Sequence, residues 1–453
     1  MIAVHMKTKK AIFKLERVYE RLLVVSLLVV LLVSLSSCCI LMVLAEGSSL
    51  KVVVPVKTEA ELRVAVSDAT EPTTIMLSDD IALTGSLDIS ANKDITLTSN
   101  REEFFKLIGA DNASTIVIND GGLLTLAGIR VTHDTGFIGR GVTVSGGKLV
   151  LSDGEITGNN GVFGGGVYVF YGSVSMSGGT ITNNTVSAEG QTESANMAQS
   201  ANNMQHSGGM HHSGDMSSDS VVGAGGGVYV GYDGFFSMSG GAIANNTAAL
   251  DGGGIYVDTA GSFSMSGEGV IANNTATRHG GGAYANTGSF RIAGSAVIAN
   301  NKATHRGGGV NMNAGPFSMG GGVIANNTAG TGGGVYMSFG SMGIMHGGEI
   351  SGNTAIGTAE ISGGGGVYNE GLFAMYVGVI TNNAAYNCGG GVYNNNNFEL
   401  SDKGEIYDNT ALKGNNVYHY NTSMNGYVVP VVTMALLSGI TGGIFWYFKN
   451  KRK

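Results

Sequence analysis

Apolar residues recur two apart along this chain, as Phe236/Met238, Phe263/Met265, Phe290/Ile292, Phe317/Met319 and Phe373/Met375. Val174/Met176, Met342/Ile344 and Phe398/Leu400 read as the same pair in related segments. Such alternation is the mark of short strands and not of helices. A further apolar position holds Ile181, Ile243, Ile271, Ile298, Ile324, Ile350, Ile380 and Ile406. Polar punctuation keeps the same rhythm. The triple glycines that open the unit begin at Gly164, Gly225, Gly252, Gly280, Gly307, Gly332, Gly364 and Gly389, and after a first gap of 61 their spacings are 27, 28, 27, 25, 32 and 25 residues. The unit reads GGG-V-Y-x, a turn, then F-x-M-x-G-G-x-I-x-N-N-T-A, and self-similarity at this period predicts a repeat architecture.

Two or three short strands per unit cannot bury an apolar face alone. Stacked coil upon coil they can, because each side chain then lies about 4.8 Å from its counterpart. Glycine supplies positive φ at the corners. Asparagine tolerates the left-handed region and can bond its counterpart on the next coil. The pattern predicts an all-β, parallel β-helix. Thr58–Ala69 (TEAELRVAVSDA) reads as a short amphipathic helix that caps the first coil, with Thr58 as N-cap and Leu62, Val64 and Val66 as its contacts. Residues 46–140 read as this cap plus irregular opening coils, and residues 141–426 as regular coils, roughly a dozen in all. Residues 186–222 interrupt them with a polar Ser/Gly/Met/His-rich loop.

The GGGVYV…F-M-GG-I-NNTA unit resembles the repeats of right-handed parallel β-helix surface proteins of the pectate-lyase-like superfold, especially adhesin-like proteins of bacteria and methanogenic archaea. It is similar also to the repeats of chlamydial polymorphic membrane proteins. The resemblance covers about residues 57–420 and implies a right-handed coil. It implies either an adhesin-like binding protein or, alternatively, a polysaccharide lyase or hydrolase, since one superfold hosts both. A structural surface-layer or stalk component is a third reading.

The flanks change the picture. Residues 1–21 are basic and 22–45 apolar, ending Val43-Leu44-Ala45, which predicts a signal peptide of residues 1–45, with an uncleaved anchor as the alternative. Leu35-Ser36-Ser37-Cys38 has the outline of a lipobox, but the apolar run continues past it. Residues 427–448 (YVVPVVTMALLSGITGGIFWYF) are long and apolar enough for a transmembrane helix, and KNKRK at 449–453 predicts a cytoplasmic tail. Residues 46–426 would then be extracellular, with the membrane itself as one partner.

Composition narrows the partners. The chain has 75 glycines, 13% charged residues and a net charge of −8. Residues 1–21 and 449–453 each contribute +4, so the remainder carries −16, which argues against nucleic acid as a partner and leaves an extracellular glycan or protein ligand. Cys388 is the one cysteine beyond the leader pair Cys38 and Cys39, so no disulfide framework is expected.

Candidate chemistry is sparse. The residue after GGG-V is Tyr168, Tyr229, Tyr256, Tyr284, Tyr336, Tyr368, Tyr393 or Tyr418, broken by Asn311. If the valine points inward, alternation points the tyrosines outward. Tyr229, Tyr256, Tyr284, Tyr336, Tyr368 and Tyr393 are therefore candidate members of a solvent-facing binding ladder, against the plainer reading of packing that seals the sheet. Met204, His206, Met210, His211, His212 and Met216 lie close together, with ligand types that suit copper or another transition metal; otherwise no cofactor is expected. Asp251, His279 and Arg306 fall on successive coils beside Arg278 and His305, an arrangement that reads more simply as charge pairing on a solvated turn than as a lyase centre. Carboxylates suited to glycoside hydrolysis are scattered over different columns, and no catalytic constellation is recognised. The sequons at Asn183, Asn245, Asn273 and Asn326 recur because the repeat does, and turn chemistry accounts for them.

Overall fold

The computed structural model describes residues 52–99, 104–187 and 222–420. Its strands form three parallel sheets of 19, 12 and 8 strands. One coil shows the path. Ile255–Val257 (V-Y type) leads through a turn to Ser262–Met265 (F-x-M) and Val270–Ala272, then to the two-residue strand Thr275–Ala276. Each coil adds one strand to the 12-stranded sheet, so about twelve coils stack into a parallel β-solenoid. At ~4.8 Å per coil the rod is roughly 58 Å long.

Like stacks on like. Val228 pairs with Ile255 and Tyr229 with Tyr256; Phe236 pairs with Phe263, Met238 with Met265, and Ile243 with Ile271. The expected isoleucine column runs unbroken from Ile181 to Ile406. These residues join one continuous apolar core from Val56 to Val392. Burying each phenylalanine or isoleucine is worth about 1.5–3 kcal/mol, and repetition makes the sum large.

The paired asparagines divide two tasks. The first of each pair turns the corner: Asn183, Asn245, Asn273, Asn300, Asn326 and Asn382 have φ of 54–57°. The second is buried and bonds along the rod. Asn274 Nδ2 donates to Asn301 Oδ1 (3.0 Å) and to the Ile243 carbonyl (2.9 Å), and its backbone N–H donates to Asn301 Oδ1 (2.9 Å). The same bonds recur through Asn184, Asn246, Asn301, Asn327, Asn353, Asn383 and Asn409. Each ladder amide is thereby satisfied without water, the condition for burying it.

At the amino-terminal end, Glu59–Asp68 is a helix whose first turn is capped by Thr58 Oγ1, which accepts from Glu61 N–H. Leu62, Ala65 and Val66 enter the core. Val64, expected as a contact, is 58% exposed, because it lies two positions from Leu62 and so on the helix's opposite flank. A second expectation slips by one residue. Phe317 pairs with Gly343 and Met319 with Met345, which turns Met342 and Ile344 out to solvent. The space at Gly343 is taken by Met337, whose Cε would lie 2.5 Å from a Cβ there. A one-residue shift exchanges the two faces of a strand.

Among the described residues no helix is long and apolar enough to cross a membrane. The apolar segments 22–45 and 427–448 lie outside the described residues, as do Met204, His206, Met210, His211, His212 and Met216. No group of three His, Cys, Asp or Glu among the described residues is placed to hold a metal ion.

Candidate functional site

From Val228 to Asn394 the V-Y strands are buried on both sides. Val228 and Val230 face the lumen, and Tyr229 between them points away from it, as alternation predicts. The tyrosines nevertheless do not face solvent. Tyr229, Tyr256, Tyr284, Tyr336, Tyr368 and Tyr393 are only 1–8% exposed and form two packed clusters outside the main core. The solvent-facing ladder is therefore corrected to a covered one. Its cover is the elbow that ends in the triple glycine, which folds back across the rings. Gly280 has φ of 67°, and a Cβ there would sit 2.7 Å from Tyr284 Cβ. Glycine is required at that place for both reasons.

The rings stack along the rod. Tyr229–Tyr256 and Tyr256–Tyr284 centroids are 4.9 and 5.0 Å apart, and Tyr336–Tyr368 and Tyr368–Tyr393 are 5.0 and 4.4 Å apart, with planes within 12°. Asn311 divides the ladder into two stacks. Each stack begins under a guanidinium. Arg140 Cζ lies 4.7 Å from the Tyr168 ring and Arg306 Cζ 4.8 Å from the Tyr336 ring. Thr143 and Asn311 stand where their coils lack a tyrosine, and each of those coils supplies the arginine that covers the next ring. Such contacts are worth about 0.5–2 kcal/mol. Sequence reasoning did not anticipate these caps, although the signal was present as an arginine three to five residues before each missing tyrosine.

Carboxylates receive some of the buried hydroxyls. Tyr229 Oη donates to Asp258, and Tyr336 Oη donates to Glu370 Oε2 at 2.6 Å. Burial, then the nearby carboxylates, hold the phenols of Tyr229, Tyr256 and Tyr368 far above their ordinary range, so these rings stay neutral. Tyr393, which packs against Tyr418 on the last coil, is raised to about 12, chiefly by burial.

Beside the gap between the stacks lies the ionisable column. His279 pairs with Arg306 and Arg306 with Thr331 across coils. Asp251 is 1% exposed, so the acid lies inside the turn and not on its solvated surface. Its carboxylate accepts from Arg278 Nε at 2.9 Å, from Arg278 Nη2, and from the His279 backbone N–H at 3.1 Å. Arg278, and not the His279 ring, is the partner of the acid. The His279 ring packs 5.6 Å from His305 and 6.3 Å from Tyr284. Burial first, with Arg278, Arg306 and His305 adding to it against Asp251, lowers the His279 pKa to about 4. The imidazole is thus neutral at physiological pH, and Asp251 is spent on Arg278.

What the arrangement offers is a stiff, covered aromatic wall and, at its break, an edge bearing cations. No family model matches the chain, and neither a curated protein nor a solved structure matches it.

Proposed function

We propose that this chain is an adhesin-like binding rod, displayed outside the cell on residues 46–426 and held to a membrane through residues 427–448. The supporting observation is the regular stacking of about twelve coils, which repeats outward-facing side chains at one strand spacing over several nanometres. A long and stiff surface of that kind suits a polymeric or cell-surface ligand better than a small molecule. The apolar and basic flanks of the sequence accord with a membrane-held protein whose solenoid lies outside the cell. The tyrosines contribute stiffness to this reading, because their rings are covered.

The test is a glycan array and a whole-cell binding assay on the full-length chain, run beside an ultraviolet assay for the unsaturated sugars that a polysaccharide lyase releases. Saturable binding without product is the expected result. Release of unsaturated product would replace the binding reading with the lyase one.

A further inference from the structure

Residues 269–348 contain no aspartate or glutamate, yet they carry Arg278, Arg291, Lys302 and Arg306. In a chain whose residues 22–448 sum to −16, this places a positive band around the middle of the rod. The fold gathers three of those cations on one edge. His279 and Arg306 are register partners, and Lys302 stands between Thr275 and Thr328 in the narrow sheet. Lys302, Thr304, His305 and Arg306 are all exposed, and the coil bearing Arg278 and His279 lies one strand spacing away.

The charges on this edge are not all spent. Arg278 is paired with Asp251, whereas Lys302 and Arg306 have no carboxylate in ion-pair reach among the described residues. The one ring under Arg306 is Tyr336. A guanidinium lying on a ring keeps its N–H edges free for a planar or tetrahedral oxyanion. Acids beyond residues 269–348 are screened over roughly 8 Å at physiological salt. Ring capping alone explains Arg306, but it explains neither Lys302 nor 80 residues without an acid.

We propose that this edge, built on Lys302, His305 and Arg306, binds an anionic polysaccharide through its sulfate or carboxylate groups. The inference rests on the binding-rod reading above and names its ligand class. Hydroxyls of Thr275, Thr304 and Thr328 supply partners for sugar hydroxyls between the charged groups. A nucleic acid fits less well. Between Phe235 and Phe339 the described residues expose no large apolar side chain on which a base could stack.

The experiment measures equilibrium binding of the full-length chain to heparin, to polygalacturonate, to neutral dextran and to single-stranded DNA of matched charge. The variants are Lys302→Gln, Arg306→Lys, the double variant K302Q/R306Q, and Arg291→Gln as a control on another sheet. Heparin and polygalacturonate distinguish a sulfate from a carboxylate ligand. The double variant should bind the preferred polyanion at least about tenfold more weakly, R306K, which keeps the charge but loses the planar fork, should fall between it and wild type, R291Q should stay within about twofold, and dextran should not bind. Melting curves separate lost contact from lost fold, and K302Q, which touches no ring, carries the test alone if loss of Arg306 unfolds the coil. Unchanged polyanion binding by a folded K302Q/R306Q protein, or tighter binding to DNA than to either glycan, overturns the proposal. Wild-type protein that binds cells or neutral glycans but neither polyanion overturns it while leaving the binding-rod reading intact. Protein that binds nothing in the glycan or cell panels removes both.

Discussion

Asn300 and Asn301 are chain neighbours with the same side chain, and the solenoid uses them for opposite purposes. Asn300 is exposed at φ of 57°, where the requirement is a tolerable left-handed backbone. Asn301 is 1% exposed, and its Oδ1 accepts from both the backbone and the side chain of Asn274. Asn300→Gly should therefore leave stability within about 0.5 kcal/mol, since glycine takes positive φ without strain. Asn301→Ala strands two buried donors of Asn274 and should cost roughly 2–5 kcal/mol. Urea unfolding of the two variants checks the contrast, and equal losses would mean that the ladder contributes nothing beyond turn geometry.

Among the elements, the V-Y strands carry a second core outside the first. Tyr256 is 2% exposed between two parallel rings, with its hydroxyl among carboxylates. Tyr256→Ser should lower stability by about 3–5 kcal/mol, the cost of emptying a buried aromatic site. A melting temperature unchanged by that substitution would show that the elbow does not depend on the ring beneath it. The strand columns, the asparagine contacts and the helix cap at Thr58 were legible in the sequence, because each follows from local periodicity or capping chemistry. The cover over the tyrosines was not, since alternation gives the direction of a side chain and not what lies beyond it. Met342 and Ile344 copied the F-x-M spacing but belong to the outer face, because Met337 from the preceding strand fills the gap at Gly343. Of the ionisable column the register was legible. The choice of Arg278 over His279 as partner for Asp251 depended on side-chain reach, which spacing does not encode.

At the scale of the whole molecule, stability in a stacked array is close to a sum of coil terms and nearest-neighbour terms. Residues 225–251 are one full unit, since Val228 pairs with Ile255 27 residues on. Joining Ala224 to Gly252 would bring Val167 onto Ile255, Tyr168 onto Tyr256, Ile181 onto Ile271 and Asn184 onto Asn274. That deletion should still give a strand-type circular dichroism spectrum and a single melting transition, whereas removing only 225–238 should give neither. If both deletions behaved alike, matched columns would not be what holds the rod together. The equivalence of neighbouring coils carries a genetic corollary. Recombination between copies of this unit can add or remove a storey while the core columns stay in register, so the reach of the protein is free to drift while its cross-section stays fixed.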